Sequence, residues 1–215
     1  MIASIACLVA CGMLVFAEYR SIARLRIASK LVASLAFVVL AVPAIDGSSF
    51  ARWMFVGLVL GAIGDVALLG RSTPAFLGGL VAFLFGHLAY VVGIAQIEPT
   101  ARWLADAGWL AIPPSAVGLA ILASLWSRLG SLRVPVIVYV GAIVTMVIAA
   151  LATYRADALP TPQSGWLAAG AVVFFVSDIA VARDRFVGRE FSNKLWGLPA
   201  YYTAQVLIAW SAISS

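Results

Sequence analysis

Two aspartates stand where a carboxylate is hardest to account for. Asp178 lies inside Gly170 to Phe186, read as GAVVFFVSDIAVARDRF, and Asp65 lies inside Gly57 to Arg71, read as GLVLGAIGDVALLGR. An acid in a run this apolar is costly if the run crosses lipid, and marks a functional site. Two such acids held close in low dielectric cannot both ionise easily, so one keeps a proton and serves as a general acid. The other is then free to act as base or to stabilise a developing cation, and acid–base help of this kind contributes about 10²–10⁴-fold to a rate. The residue types do not separate the two roles.

The surroundings decide what kind of chain carries these acids. With 215 residues, 64% of them hydrophobic and 11% charged, the chain has far more apolar surface than a soluble domain of its length buries. It reads as all-α, a polytopic membrane bundle forming a single integral membrane domain over residues 1–215. The one His and two Cys, Cys7 and Cys11, do not make a metal cage or a disulfide framework, so no metal and no organic cofactor is expected. Leu8-Val9-Ala10-Cys11 resembles a lipoprotein cleavage box, but without a basic start the first apolar run reads as a retained membrane helix.

Eight segments near the length of about 20 residues that a membrane helix needs can be drawn: 2–18, 28–45, 52–70, 74–96, 107–126, 134–153, 164–182 and 195–213. The breaks carry turn chemistry, at Asp46-Gly47-Ser48-Ser49, Ser72-Thr73-Pro74, Glu98-Pro99, Leu129-Gly130-Ser131 and Leu159-Pro160-Thr161-Pro162. Odd-numbered loops hold Arg20, Arg24, Arg26, Lys30, Arg71, Arg128, Arg133, Arg183, Arg185, Arg189 and Lys194, against Arg52, Arg102 and Arg155 in the others. That asymmetry puts the odd loops in the cytoplasm and both termini on the opposite side. The net charge of +5 then reflects topology and anionic head groups, and no nucleic-acid partner is implied.

On this topology both aspartates sit about five residues from the cytoplasmic end of an inward-running helix, roughly 8 Å deep at 1.5 Å per residue. A weak alignment of Gly57 with Gly170 and of Gly64-Asp65 with Ser177-Asp178 suggests a 4+4 internal repeat. Other polar residues gather at a similar level. His87 and Tyr90 share a face of the fourth helix, with His87 expected deeper than the acids, and Tyr201 and Gln205 share a face of the eighth. Tyr202 fits either the site or an aromatic belt. Tyr139 and Lys30 enter from the same side, and Lys30 suits either head-group snorkelling or a phosphate. Gly57, Gly61 and Gly64 permit close helix contact.

Taken in order, GxxxGxxGD on the third helix, GHxxY on the fourth, PVxVY on the sixth, SDxxxAxxRF on the seventh and YYxAQxLI on the eighth resemble the YhhN family, the family of lysoplasmalogenases. The matching residues are Gly64-Asp65, His87 with Tyr90, Pro135 to Tyr139, Ser177-Asp178 with Arg185-Phe186, and Tyr201-Tyr202 with Gln205. One departure is Lys30-Leu31 where the family usually shows Lys-Pro.

The resemblance implies hydrolysis of the vinyl ether bond of a lysoplasmalogen, a single-chain lysophospholipid, to a fatty aldehyde and glycerophospho-ethanolamine or -choline. The chain is then expected to be a multi-pass protein of a bacterial cytoplasmic membrane, with its site near the cytoplasmic side by the charge count above. Asp178 is assigned as acid and Asp65 as base or electrostatic partner. Lys30, His87, Tyr90, Tyr139, Ser177, Tyr201, Tyr202 and Gln205 bind substrate or position water. The rival readings are a proton- or ion-coupled transporter, which predicts access from both faces, and another intramembrane aspartate-dependent hydrolase, such as an aspartyl protease. Metal-dependent amidases of the ceramidase type need more histidines than His87.

Overall fold

The computed structural model describes residues 1–70 and 72–213, and these are all-α. Among the described residues nine α-helices follow in chain order: α1 (Ile2–Tyr19), α2 (Ala23–Leu40), α3 (Ser49–Ala67), α4 (Thr73–Ile94), α5 (Trp103–Ala107), α6 (Ile112–Leu125), α7 (Arg133–Arg155), α8 (Gln163–Phe186) and α9 (Phe191–Ile213). Among the described residues, seven helical segments are long and apolar enough to cross a membrane. The eighth long helix, α9, has the length at 23 residues, but Pro199, Tyr201, Tyr202 and Gln205 dilute its apolar character. The protein is an integral, multi-pass membrane protein. Arg71, counted above among the loop cations, lies outside the described residues.

Helix starts follow local chemistry. Ser48 and Ser72 cap α3 and α4, each side chain accepting a hydrogen bond from a backbone N–H three residues on, and Pro74 follows in the first turn of α4. The second segment begins at Ala23, earlier than residue 28, because Arg24 and Arg26 are accommodated at a helix end. Arg26 donates to the Leu69 carbonyl at 3.2 Å and lies 3.9 Å from Glu18. That segment closes as a 3-10 turn, Val42–Asp46. The fifth segment is broken: α5 and a 3-10 turn, Gly108–Ala111, precede α6, which opens on Pro113 and Pro114.

The outward surfaces are apolar, with Leu8, Leu35, Ile63, Phe85 and Leu119 among the exposed side chains, as suits a lipid-facing shell. The interior is packed through small residues. A Cβ on Gly170 of α8 would press on Ile208 and on the Ala204 carbonyl of α9. The α6 helix is the least embedded, burying only Pro114, Gly118 and Leu125. The main buried core draws on α1, α2, α3, α4, α5, α7, α8 and α9, and the candidate site lies within it.

Candidate active site

The first centre is built around Asp65 by three helices. On α2, Lys30 and Ser34 lie one turn apart and share a face. Lys30 Nζ stands 2.8 Å from Asp65 Oδ1, and Ser34 Oγ donates to Oδ2 at 2.6 Å. From α9, Tyr202 donates to the same Oδ2 at 3.4 Å. The Lys30 and Asp65 side chains are only 12% and 3% exposed, so this is a desolvated ion pair in which each charge compensates the other. Asp65 is two residues from the end of α3, nearer than the expected five, and is buried because α2 and α9 cover it.

The second centre holds Asp178, eight residues before the end of α8, with partners from α7 and α4. Tyr139 donates to Asp178 Oδ2 at 2.7 Å, and His87 Nε2 lies 3.8 Å from the same oxygen. His87 is wholly buried, edge-on to the rings of Tyr139 at 5.1 Å and Phe174 at 4.7 Å. Neither ring nitrogen makes a hydrogen bond of good geometry among the described residues. His87 was expected deeper than the acids; it lies beside Asp178. Among the described residues no Lys or Arg pairs with Asp178, whereas Asp65 has Lys30.

A polar chain and an aromatic wall join the two centres. Tyr90 donates to Gln205 Oε1 at 2.9 Å, and Gln205 Nε2 donates to the Tyr201 hydroxyl at 3.0 Å. With its oxygen accepting from Gln205, Tyr201 has its own O–H proton left to give, and the Asp65 carboxylate lies within its reach. Tyr201 meets Phe174 edge-on at 5.4 Å and Tyr202 edge-on at 4.9 Å, so one ring touches both halves. Tyr202 is fully buried, which assigns it to the interior and not to an aromatic belt.

A cavity of about 460 Å³ runs past both acids. Lys30, Asp65, Tyr139, Ser177, Asp178 and Tyr201 line it, while His87, Tyr90, Tyr202 and Gln205 stand behind as supports. Ser177 offers little polarity there, since its hydroxyl is taken up by the Phe174 carbonyl at 2.7 Å. Apolar walls come from Leu80, Phe83, Ile121, Val140 and Ile143, and the mouth carries Glu18, Arg26, Asp184, Arg185, Arg189 and Lys194. The cavity is therefore amphipathic along its length: charged at one end, apolar within, and bearing two carboxyl groups between. Among the described residues no three His, Cys, Asp or Glu side chains are grouped to hold a metal ion.

The glycines of α3 make this arrangement fit. A Cβ on Gly57 would strike the Tyr90 ring, one on Gly61 the Gln205 amide, and one on Gly64 the Phe83 ring at 2.7 Å. They admit the side chains of the site as well as bringing backbones together. Sequence reasoning missed Ser34 and Phe174. The only signal for Ser34 was its position one turn after Lys30, and Phe174 is indistinguishable from core until its neighbours are known.

The sequence profile of the YhhN family matches residues 25–212, which include every residue of both centres. The chain belongs to the YhhN family. Relatives of this YhhN protein include a protein named lysoplasmalogenase from Mycobacterium bovis and one from Mycobacterium tuberculosis. Each is 36% identical over 168 residues, covering 73% of this chain and 59% of the relative. Lysoplasmalogenase TMEM86A of Bos taurus is 32% identical over 169 residues, covering 75% of this chain and 65% of its own length. The matched region thus spans about three-fifths of the length of these curated relatives. No solved structure matches the chain.

Proposed function

We propose that this YhhN-family protein is a lysoplasmalogenase that cleaves the vinyl ether of a single-chain lysophospholipid, with residues 1–215 acting as one membrane domain. The observation that carries the reading is the unlike pairing of two carboxyls on one amphipathic cavity, Asp65 against Lys30 and Asp178 against Tyr139. The shared name of the relatives supports it. The lipid chain lies against Leu80, Phe83 and Val140, and the head group at the charged mouth.

Tyr139 donates to Oδ2 of Asp178, which leaves Oδ1 to carry the acidic proton. Asp178 delivers that proton to the β-carbon of the enol ether, and the double-bond electrons form the new C–H bond. The α-carbon becomes an oxocarbenium ion, stabilised by the Asp65 carboxylate as paired carboxylates stabilise glycosyl cations. Both Asp65 oxygens are already engaged by three donors, so its part is electrostatic. Water adds to the α-carbon, its proton returns to Asp178, and the hemiacetal collapses to a fatty aldehyde and a glycerophospho-alcohol. Tyr201, oriented by Gln205 and Tyr90, supplies a hydrogen bond to the substrate oxygen or to the water.

The Lys and Arg distribution supports a cytoplasmic mouth, with both termini opposite, in a bacterial cytoplasmic membrane. Opening of the cavity among the helix ends of a single side favours an enzyme over a transporter. The test is aldehyde release by purified protein from a lysoplasmalogen, with its alkyl-ether and ester analogues as controls, for wild type, Asp65→Asn and Asp178→Asn. Aldehyde from the vinyl ether alone, lost in both variants, is expected. No aldehyde from a well-folded wild type overturns the substrate, and full activity in both variants overturns the mechanism.

A further inference from the structure

Lys30 on the cavity wall is already held by Asp65, so a substrate phosphate has to be met elsewhere. The mouth provides other cations. Arg185 is fixed from two sides: its guanidinium donates to Thr73 Oγ1 at 3.0 Å and sits 4.6 Å over the Phe76 ring. A guanidinium held this way keeps further N–H donors for an anion, in a planar fork suited to phosphate.

The carboxylates at the mouth are not equivalent. Glu18 is engaged by Lys194 at 2.9 Å and approached by Arg26 at 3.9 Å. Glu190 takes the Ser192 hydroxyl at 3.1 Å. Asp184, the residue next to Arg185 on α8 and also on the cavity wall, feels Lys194 and Arg189 through space but receives no hydrogen bond among the described residues, and its Oδ1 is buried without a hydrogen-bond partner. A buried acceptor left in that state is unfavourable unless something donates to it.

A primary ammonium donates up to three hydrogen bonds and needs such an acceptor, whereas a trimethylammonium donates none and is held by open aromatic faces. The rings at the mouth are engaged: Phe76 is covered by Arg185 and meets Phe186 edge-on at 6.0 Å, and Phe191 packs on Tyr19 at 5.2 Å. We infer that Arg185 and Asp184 form a subsite for a phospho-ethanolamine head group, Arg185 taking the phosphate and Asp184 the primary ammonium. This rests on the lysophospholipid reading above and sharpens it to one head group.

Binding of uncleavable alkyl-ether lysolipids to the full chain in detergent, followed by tryptophan fluorescence, tests the subsite without any turnover. The ethanolamine lipid is expected to bind about tenfold more tightly than its choline counterpart, which is about 1.4 kcal/mol. Asp184→Asn should bring the ratio near one with choline-lipid affinity unchanged, and Arg185→Gln should weaken both lipids about equally. Competition by glycerophospho-ethanolamine but not by inorganic phosphate at the same concentration marks a head-group site. Equal affinity for the two lipids, an unchanged ratio in Asp184→Asn, or equal competition by phosphate overturns it. Absence of aldehyde release in the earlier assay alongside a tenfold binding ratio defeats the proposed reaction and leaves the subsite standing.

Discussion

Replacing Lys30 by methionine leaves the Asp65 carboxylate buried with Ser34 and Tyr202 but without its cation. Removing one partner of a buried ion pair costs about 3–5 kcal/mol, because the remaining charge stays out of water uncompensated. At about 2–4 °C per kcal/mol for a chain of this size, the melting midpoint should fall by about 6–20 °C. Asp65→Asn in the same background removes the orphaned charge, so the double variant should be more stable than Lys30→Met alone despite carrying one substitution more. The assay is a double-mutant cycle on melting in detergent, with aldehyde release measured in parallel. The double variant should be folded and inactive, which separates the stability of the pair from its chemistry. Additive effects within about 0.5 kcal/mol would refute the reasoning, since they would mean that the two side chains do not act as a pair.

Asp178→Asn should lose aldehyde release by about 10²–10⁴-fold with little change in melting, and Tyr139→Phe, which removes one hydrogen bond to that acid, by about tenfold. Ser34→Ala, which deletes a 2.6 Å bond to a buried carboxylate, should lower stability by about 1.5–3 kcal/mol in a thermal or denaturant titration. Gly61→Ala pushes on the Gln205 amide and should cost about 1–3 kcal/mol together with activity. Gly12→Ala, whose new methyl has nothing within 4 Å, should leave both measurements unchanged.

Helices were the legible part of the fold, because apolar runs of membrane length leave few alternatives and Ser48, Ser72 and Pro74 mark their starts in ordinary capping chemistry. Boundaries failed where charge was mistaken for a loop: Arg24 and Arg26 lie inside α2, where Arg26 finds Glu18 and the Leu69 carbonyl. Asp65 and Asp178 were legible as a pair because nothing in an apolar helix explains an acid. Their difference was not, since it depends on which helix brings a cation, and the partners of Asp65 come from α2 and α9, 31 and 137 residues away. Ser177 looked equal to its neighbours and faces its own backbone. A serine's partner, the Phe174 carbonyl one turn back for Ser177 and a distant carboxylate for Ser34, leaves no trace in local sequence.

The composition of α9 also bears on how the protein enters its membrane. Tyr201, Tyr202 and Gln205 are buried, and their partners belong to α3, α4 and α9 itself. Inserted alone, this helix would present those groups to hydrocarbon, where an unpaired polar group is expensive. Its partners precede it in the chain and are apolar enough to enter lipid by themselves. Insertion of α9 is therefore expected to follow that of the earlier helices, which supply the partners its buried polar groups need. The polar contacts of the proposed site then also hold α9 in place, and leaving one of them unpaired, as Tyr90→Phe leaves Gln205 Oε1, should loosen the seating of α9 in the bilayer.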